Sequence, residues 1–285
     1  MSSVSVTLID VGWGDSILIE SEDSAGQMFY ALIDSNDEPH WQASRDFLLK
    51  RFRTRGVQFG RQARLFQFVM ASHDHSDHIS GLRKVIEEFG AERFYYPRSN
   101  GAEFATLLRY AVGSSRRPNG RVGGEEWLDT SKALPNLGDA ELRVLHPPPN
   151  HTGQPHDPNE PNNNSIVLGI RLGQVKYVLT GDCLAQNWDA IAPRIASTNL
   201  RLFKVPHHGA HNGTFKANND TPWFGLIGAW TKLAMSTHIS PHGHPDATVI
   251  AAFNGMHFHH YRTDEQYHLT FWTDGRYTRA RWSHE

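Results

Sequence analysis

Ser72-His73-Asp74-His75-Ser76-Asp77-His78 packs three histidines and two aspartates into seven residues, directly behind the apolar stretch Leu65–Ala71. The apolar stretch reads as a buried strand, and the polar run as the loop into which it feeds. Alternate side chains of an extended segment share a face, so His73, His75 and Asp77 can converge on one point. Imidazole and carboxylate are ligands for zinc, iron or manganese. This stretch is read as a metal site.

Three later segments supply partners for it. Tyr177-Val178-Leu179-Thr180-Gly181-Asp182 is a strand ending in glycine and a carboxylate. Asp182 can bridge two metal ions held about 3.5–4 Å apart, or it can cap a helix over 185–191. Leu202-Phe203-Lys204-Val205-Pro206-His207-His208-Gly209 again ends a strand with imidazoles. Adjacent side chains point apart, so one of His207/His208 is expected on metal and the other towards substrate. His238-Ile239-Ser240-Pro241-His242-Gly243-His244-Pro245 adds three more imidazoles before a helix, with His244 the strongest candidate for a role.

The bulk numbers set the frame. A chain of 285 residues, 39% hydrophobic and 20% charged, can bury a real core. A net charge of -2 argues against a generally basic nucleic-acid binder but leaves room for a local patch. One cysteine, Cys183, excludes an internal disulfide and fits a reducing compartment. The N-terminus lacks a positive leader and enters a strand at once, and no apolar run is long enough to span a bilayer. The expectation is a cytoplasmic protein without a membrane partner. Strands are expected over 4–11, 16–20, 28–33, 93–96, 166–172 and 175–180, and helices over 79–89 and around 104–112. Residues 147–164, dense in proline and asparagine, read as a long loop, and two or three strands close the chain within 257–282. One domain over residues 1–285, of mixed sheets flanked by helices, is the economical reading. Trp127, Trp188, Trp223 and Trp230 serve equally as core or interface residues, so the oligomeric state stays open.

Taken together, the motifs resemble the metallo-β-lactamase-fold hydrolase superfamily. Within it they are most similar to the branch containing the metal-binding domain of the competence DNA-uptake protein ComEC. Leu8-Ile9-Asp10-Val11-Gly12-Trp13-Gly14-Asp15-Ser16 is similar to that branch's opening Asp-Val-Gly-x-Gly-Asp motif. Leu32-Ile33-Asp34, Asn162-Asn163-Asn164-Ser165, Thr180-Gly181-Asp182, Pro206-His207-His208-Gly209 and Gly243-His244-Pro245 follow in order. The resemblance implies a four-layer αββα sandwich with two divalent metal ions, zinc or manganese, at the sheet edges. It implies that His73 and His75 hold one metal and that Asp77 and His78 hold the second. Asp182 would bridge, and one of His207/His208 would complete the second site. Asp15 and Asp34 would sit behind, accepting ring N–H bonds. Most members carry a third histidine for the first metal where this chain has Asn164-Ser165. Asn164 is a poor zinc ligand, so it is placed behind that metal. The first site is then weak, rich in water, occupied by manganese, or completed by His151 or His156.

Such a site implies hydrolysis by a metal-bound hydroxide, hydrogen-bonded to Asp77 or Asp182, with His244 or the non-ligating member of His207/His208 donating to the oxyanion or leaving group. For substrate, Lys50, Arg51, Arg53, Arg55, Arg61 and Arg64 place six cations in fifteen residues with no acid among them. Lys50, Arg51, Arg53 and Arg55 are accordingly expected to track phosphates, with Arg116, Arg117 and Arg121 extending the patch. The expected function is a phosphodiesterase or nuclease acting on DNA or RNA. The alternatives are a small-molecule hydrolase of a phosphoester, lactone or thioester, and a metal-stabilised binding module without chemistry.

Overall fold

The computed structural model describes residues 1–38, 40–60, 63–112 and 121–284. Its strands are β1 (Ser3–Leu8), β2 (Ile17–Glu22), β3 (Met28–Ile33), β4 (Phe66–Met70), β5 (Ala91–Tyr96), β6 (Glu125–Trp127) and β7 (Glu141–His146). They continue as β8 (Val167–Leu172), β9 (Val175–Leu179), β10 (Leu200–Lys204), β11 (Lys232–Met235), β12 (His260–Arg262), β13 (His268–Thr273) and β14 (Thr278–Ser283). The helices are α1 (Ala43–Thr54), α2 (Ser76–Ile79), α3 (Leu82–Phe89), α4 (Ala102–Val112), α5 (Trp188–Ile191), α6 (His211–Thr214), α7 (Ala247–Gly255) and α8 (Thr263–Gln266).

The strands form two sheets, in the orders β14-β13-β1-β2-β3-β4-β5-β6 and β12-β11-β10-β9-β8-β7. Side-chain alternation builds three cores from them. In β4, Phe68 and Met70 face the other sheet, where they meet Tyr177 and Leu179 of β9. Phe66 and Val69 of the same strand face outwards and are covered by Leu48 and Phe52 of α1 and by Leu82, Val85, Ile86 and Phe89 of α3. The spacing of those α3 residues puts them on one helical face. On the far side, Val178 and Phe203 pack under Trp188 of α5 and Val249 and Phe253 of α7. The result is the expected αββα sandwich of four layers.

The expected helix over 79–89 is interrupted at Ser80-Gly81, between α2 and α3. A Cβ on Gly81 would lie 2.3 Å from Ser35 Oγ, so the chain turns there against the loop after β3. The loop after residue 147 runs to a short 3-10 turn at Pro161–Asn164, and three strands close the chain. Among the described residues no helix is long and apolar enough to cross a membrane.

Strands β3 to β6 run parallel, as do β9 to β12. The loops leaving the C-terminal ends of parallel strands gather at one edge, where such sheets place their ligands. Asp34 follows β3, the histidine run follows β4, Asp182 follows β9, His207/His208 follow β10 and residues 238–244 follow β11.

Candidate metal centre

Four of these side chains converge. One ligand atom from each of Asp77, His78, Asp182 and His208 lies within 4.8 Å of the other three. Asp182 Oδ2 is 3.1 Å from His208 Nε2 and 3.2 Å from His78 Nε2. Asp77 Oδ2 is 3.4 Å and 3.6 Å from the same two nitrogens. His78, His208 and Asp182 are buried, and Asp77 is partly open to solvent. Asp182 does not cap the helix after it: the short 3-10 turn Ala185–Asn187 starts from Leu184 with no side-chain cap.

The two adjacent histidines separate as expected, through an unusual backbone. His207 and His208 both adopt left-handed conformations, at φ 51° and 53°, at a cost of order 1–3 kcal/mol each. His208 turns inwards and its Nδ1 sits 2.8 Å from the Ser236 carbonyl, which fixes Nε2 as the ligand face. His207 turns to the rim, with Nδ1 2.8 Å from Asn212 Oδ1 and Nε2 3.9 Å from Asp182.

Behind His78, Asp34 Oδ2 lies 2.8 Å from Nδ1, while Asp34 accepts from the Ser72 amide and hydroxyl at 2.6 Å each. Asp15 does not make the expected ring contacts: it stands 3.8 Å from His78 Nδ1 and 3.9 Å from His208 Nδ1. Its partner is Lys204, whose Nζ is 2.7 Å from Asp15 Oδ2 with both side chains fully buried. The same ammonium donates to the Gly181 carbonyl at 3.3 Å. Lys204 passed unnoticed in the sequence, although a lone cation inside an apolar strand is itself a signal, because burying it requires a counter-charge.

The other expected ligands lie alongside. His73 is fully buried, and its Nε2 has no hydrogen-bond partner among the described residues. Its ring centroid is 4.8 Å from that of His75 and 4.1 Å from that of His78. Asp182 Oδ1 is likewise buried and unpartnered. Orphaned buried donors and acceptors are costly, and a dication beside them would satisfy both. Asn164 is committed elsewhere: its Oδ1 accepts from the Asp157 amide at 2.7 Å and its Nδ2 donates to the Asp157 carbonyl at 2.6 Å. It ties down the 157–160 loop.

Charge follows the geometry. Burial alone would lower His78 and His208, yet Asp182 and its neighbours hold His78 well above the ordinary imidazole value and bring His208 to about 10. Burial opposes ionisation of Asp182 as well, but His208 and His78 keep it well below the usual carboxylate range. Lys204 stands above the ordinary lysine value because Asp15 and Asp182 outweigh its burial. His73, buried next to His78, is pushed well down, and His244 is lowered to about 4 by burial and by His207.

The basic patch needs correction. Arg51 and Arg55 grip the carboxylate of Glu20 from both sides, at 2.6 Å and 2.7 Å, and Arg64 meets Glu92 at 3.3 Å. Arg121 donates to the Gly60, Glu87 and Glu88 carbonyls. Arg53 is exposed, Lys50 lies near His268, and Arg61, Arg116 and Arg117 fall outside the described residues. The counter-charge, Glu20, lies on β2, about 30 residues before the arginines it pairs with. Position counts against the patch too. Helix α1 returns from the metal edge between two parallel strands, so its 12 residues carry Lys50–Arg55 roughly 10–18 Å along the helix from that edge.

Comparison with known proteins agrees with this architecture. The family model described as the metallo-beta-lactamase superfamily matches residues 57–220. ComE operon protein 3 of Bacillus subtilis (strain 168) is 24% identical over 215 residues, covering 73% of this chain and 26% of that protein. The chain thus spans about a quarter of the length of the curated relative it matches. Among solved structures, the long form of RNase Z from yeast is 12% identical with a TM-score of 0.45, covering 83% of this chain and 37% of that one. The metallo-β-lactamase MIM-1 from Novosphingobium pentaromativorans is 17% identical with a TM-score of 0.39, covering 70% and 76%. With more than half its length matched by the family model and imidazoles and carboxylates gathered at the edge of a two-sheet sandwich, the chain belongs to the metallo-β-lactamase superfamily, whose members are mostly metal-dependent hydrolases.

Proposed function

We propose that this chain is a phosphodiesterase that uses two divalent ions, zinc or manganese, and acts on nucleic acid. The observation that carries the reading is the division of labour at Asp182. One oxygen, Oδ2, meets His78 and His208, and the other, Oδ1, is buried without a partner. A carboxylate so placed can serve one ion with each oxygen. His73 and His75 would hold the first ion, and Asp77, His78 and His208 the second. Bound in this way, a pair of dications acidifies water and neutralises charge on the attacking and leaving oxygens of an in-line displacement.

The chain's own residues do the rest. Asp34 fixes the His78 ring and the Ser236 carbonyl fixes His208, so the ligand atoms need no reorganisation on binding. Asp77, the member open to solvent, is placed to accept a proton from an incoming water. His244 carries a neutral ring whose N–H can hydrogen-bond a leaving oxygen. Since Arg51 and Arg55 are spent on Glu20, the grip on substrate lies at the metal edge. Turnover is then expected to depend only weakly on salt.

The test is metal analysis of the pure protein, with hydrolysis of bis-p-nitrophenyl phosphate and of linear single- and double-stranded DNA under added zinc and manganese. About two ions per chain and metal-dependent DNA cleavage, abolished in Asp182→Ala and His75→Ala, support the reading. Activity in both variants removes it, and activity confined to small esters moves the assignment to a small-molecule hydrolase.

A further inference from the structure

The loop Asp10–Gly14 is pinned against the metal loop. A Cβ on Gly14, at φ +101°, would lie 2.1 Å from the Asp77 carbonyl oxygen, so only glycine permits the approach. The Asp15 amide donates to the same carbonyl at 3.2 Å, Asn36 Nδ2 donates to the Trp13 carbonyl, and Asp10 Oδ1 accepts from the Gly12 amide at 3.1 Å. This bracing holds the half-buried Trp13 indole over the metal edge. Its ring centroid is 4.8 Å from that of His208, 4.5 Å from His242 and 5.4 Å from His244. The Trp41 ring lies against Gly12, and Trp41 is 45% exposed. Trp188 and Trp223, by contrast, are fully buried. Neither residues 10–14 nor residues 238–245 contain a lysine or arginine. The rim is therefore built of indole and imidazole rings, with the backbone of Trp13 braced on the metal loop and neither lysine nor arginine in the two segments that form it.

We propose that this rim, with Trp13 at its centre, is a stacking subsite for a nucleobase next to the phosphodiester bound at the metal edge. The inference rests on the phosphodiesterase reading and sharpens it. A planar base gains by lying on aromatic faces whatever its sequence identity, and a pre-positioned indole loses little freedom when it does so. A base must be unstacked from its neighbours to reach the rim, so single strands are the favoured substrate. Discrimination comes from ring contact at the metal edge, and phosphate tracking along the protein contributes little.

The experiment compares kcat/KM for thymidine 5′-(p-nitrophenyl phosphate) with that for 1,2-dideoxyribose 5-(p-nitrophenyl phosphate), which keeps the sugar ring, its 3-hydroxyl and the leaving group but has no base. The zinc-loaded wild type is expected to favour the nucleoside ester by about tenfold or more. Trp13→Ala collapses the ratio towards one, and Trp13→Phe keeps most of it. A wild-type ratio near one, or a ratio unchanged by Trp13→Ala, overturns the subsite. If the wild type cleaves neither ester, the phosphodiesterase reading falls and calorimetry decides the subsite separately. Thymidine 5′-monophosphate binding more tightly than inorganic phosphate, with the advantage lost in Trp13→Ala, upholds it. Equal binding of the two overturns it.

Discussion

Replacing Lys204 by methionine isolates the buried charge beneath the metal edge. Lys204 Nζ and Asp15 Oδ2 are 2.7 Å apart, and both side chains have zero solvent exposure. Methionine matches the aliphatic stem, so packing changes little and the loss is electrostatic. Removing one partner of a buried ion pair strands the other charge and costs about 3–5 kcal/mol. The Gly181 carbonyl loses its ammonium donor as well, which places the expectation in the upper half of that range. The assay is urea unfolding of the chelated protein, so that metal affinity does not enter. Asp15→Asn alone should also destabilise, because it leaves the ammonium without its counter-ion. The double variant should lose clearly less than the sum of the two, since no stranded charge remains. A loss below about 1 kcal/mol in Lys204→Met, or strict additivity in the double variant, refutes the argument that a compensated charge pair supports the site.

His208→Ala should lower the metal count by one per chain while His207→Ala leaves it unchanged, because only His208 lies 3.1 Å from the Asp182 oxygen that His78 shares. Metal analysis after gel filtration reads the difference. Burial holds His146 down at about 4 against the ordinary 6.5, so below 6.5 the unfolded chain takes up a proton that the folded chain refuses. Stability is complete above that pH and should fall by about 2 kcal/mol between pH 7 and pH 5 on account of this residue. His146→Gln should flatten the dependence of the urea midpoint on pH, and an unchanged slope defeats the assignment. Asn164→Ala should free the 157–160 loop to proteases without altering the metal count, whereas a lost metal would restore Asn164 to the site. Zinc at a hundred times the dissociation constant of each site should raise stability by about 2.7 kcal/mol per bound ion, or ~5 kcal/mol for two, over the chelated protein, read as a higher melting temperature.

How much of this was legible in the sequence depends on how far apart the cooperating residues lie. The run from His73 to His78 announced itself because one strand end delivers several ligands within a few residues. Asp182 and the pair His207/His208 were readable for the same reason, each closing an apolar strand with candidate ligands, but the choice of His208 within the pair came only with the structure. The sandwich followed from the family resemblance of the ordered motifs, whereas the division of β4 between two cores, Phe68 and Met70 in one and Phe66 and Val69 in the other, is visible only in the structure. What escaped was pairing at long range. Glu20, on β2, pairs with both Arg51 and Arg55, and nothing local to the arginines points to it. Asp15 and Lys204 each stood in a quoted motif, yet their contact exists only once the loop between β1 and β2 meets the end of β10 from the other sheet. The break at Ser80-Gly81 was equally silent, since helical periodicity continues across it while the steric demand comes from Ser35.

The pairing of β1 with β13 sets the order in which this protein can be made. Leu8 finds Leu269 across that ladder, some 260 residues later in the chain. At about 5–20 residues per second, a ribosome leaves that edge of β1 without its neighbour for on the order of ten seconds or more. During that interval the amides and carbonyls of Ser3–Leu8 that do not pair with β2 are open to any passing strand. Slower growth temperatures or a holding chaperone should therefore improve the yield of intact protein. A chain that stops short of His268 should aggregate even though every residue grouped at its metal edge has already been synthesised.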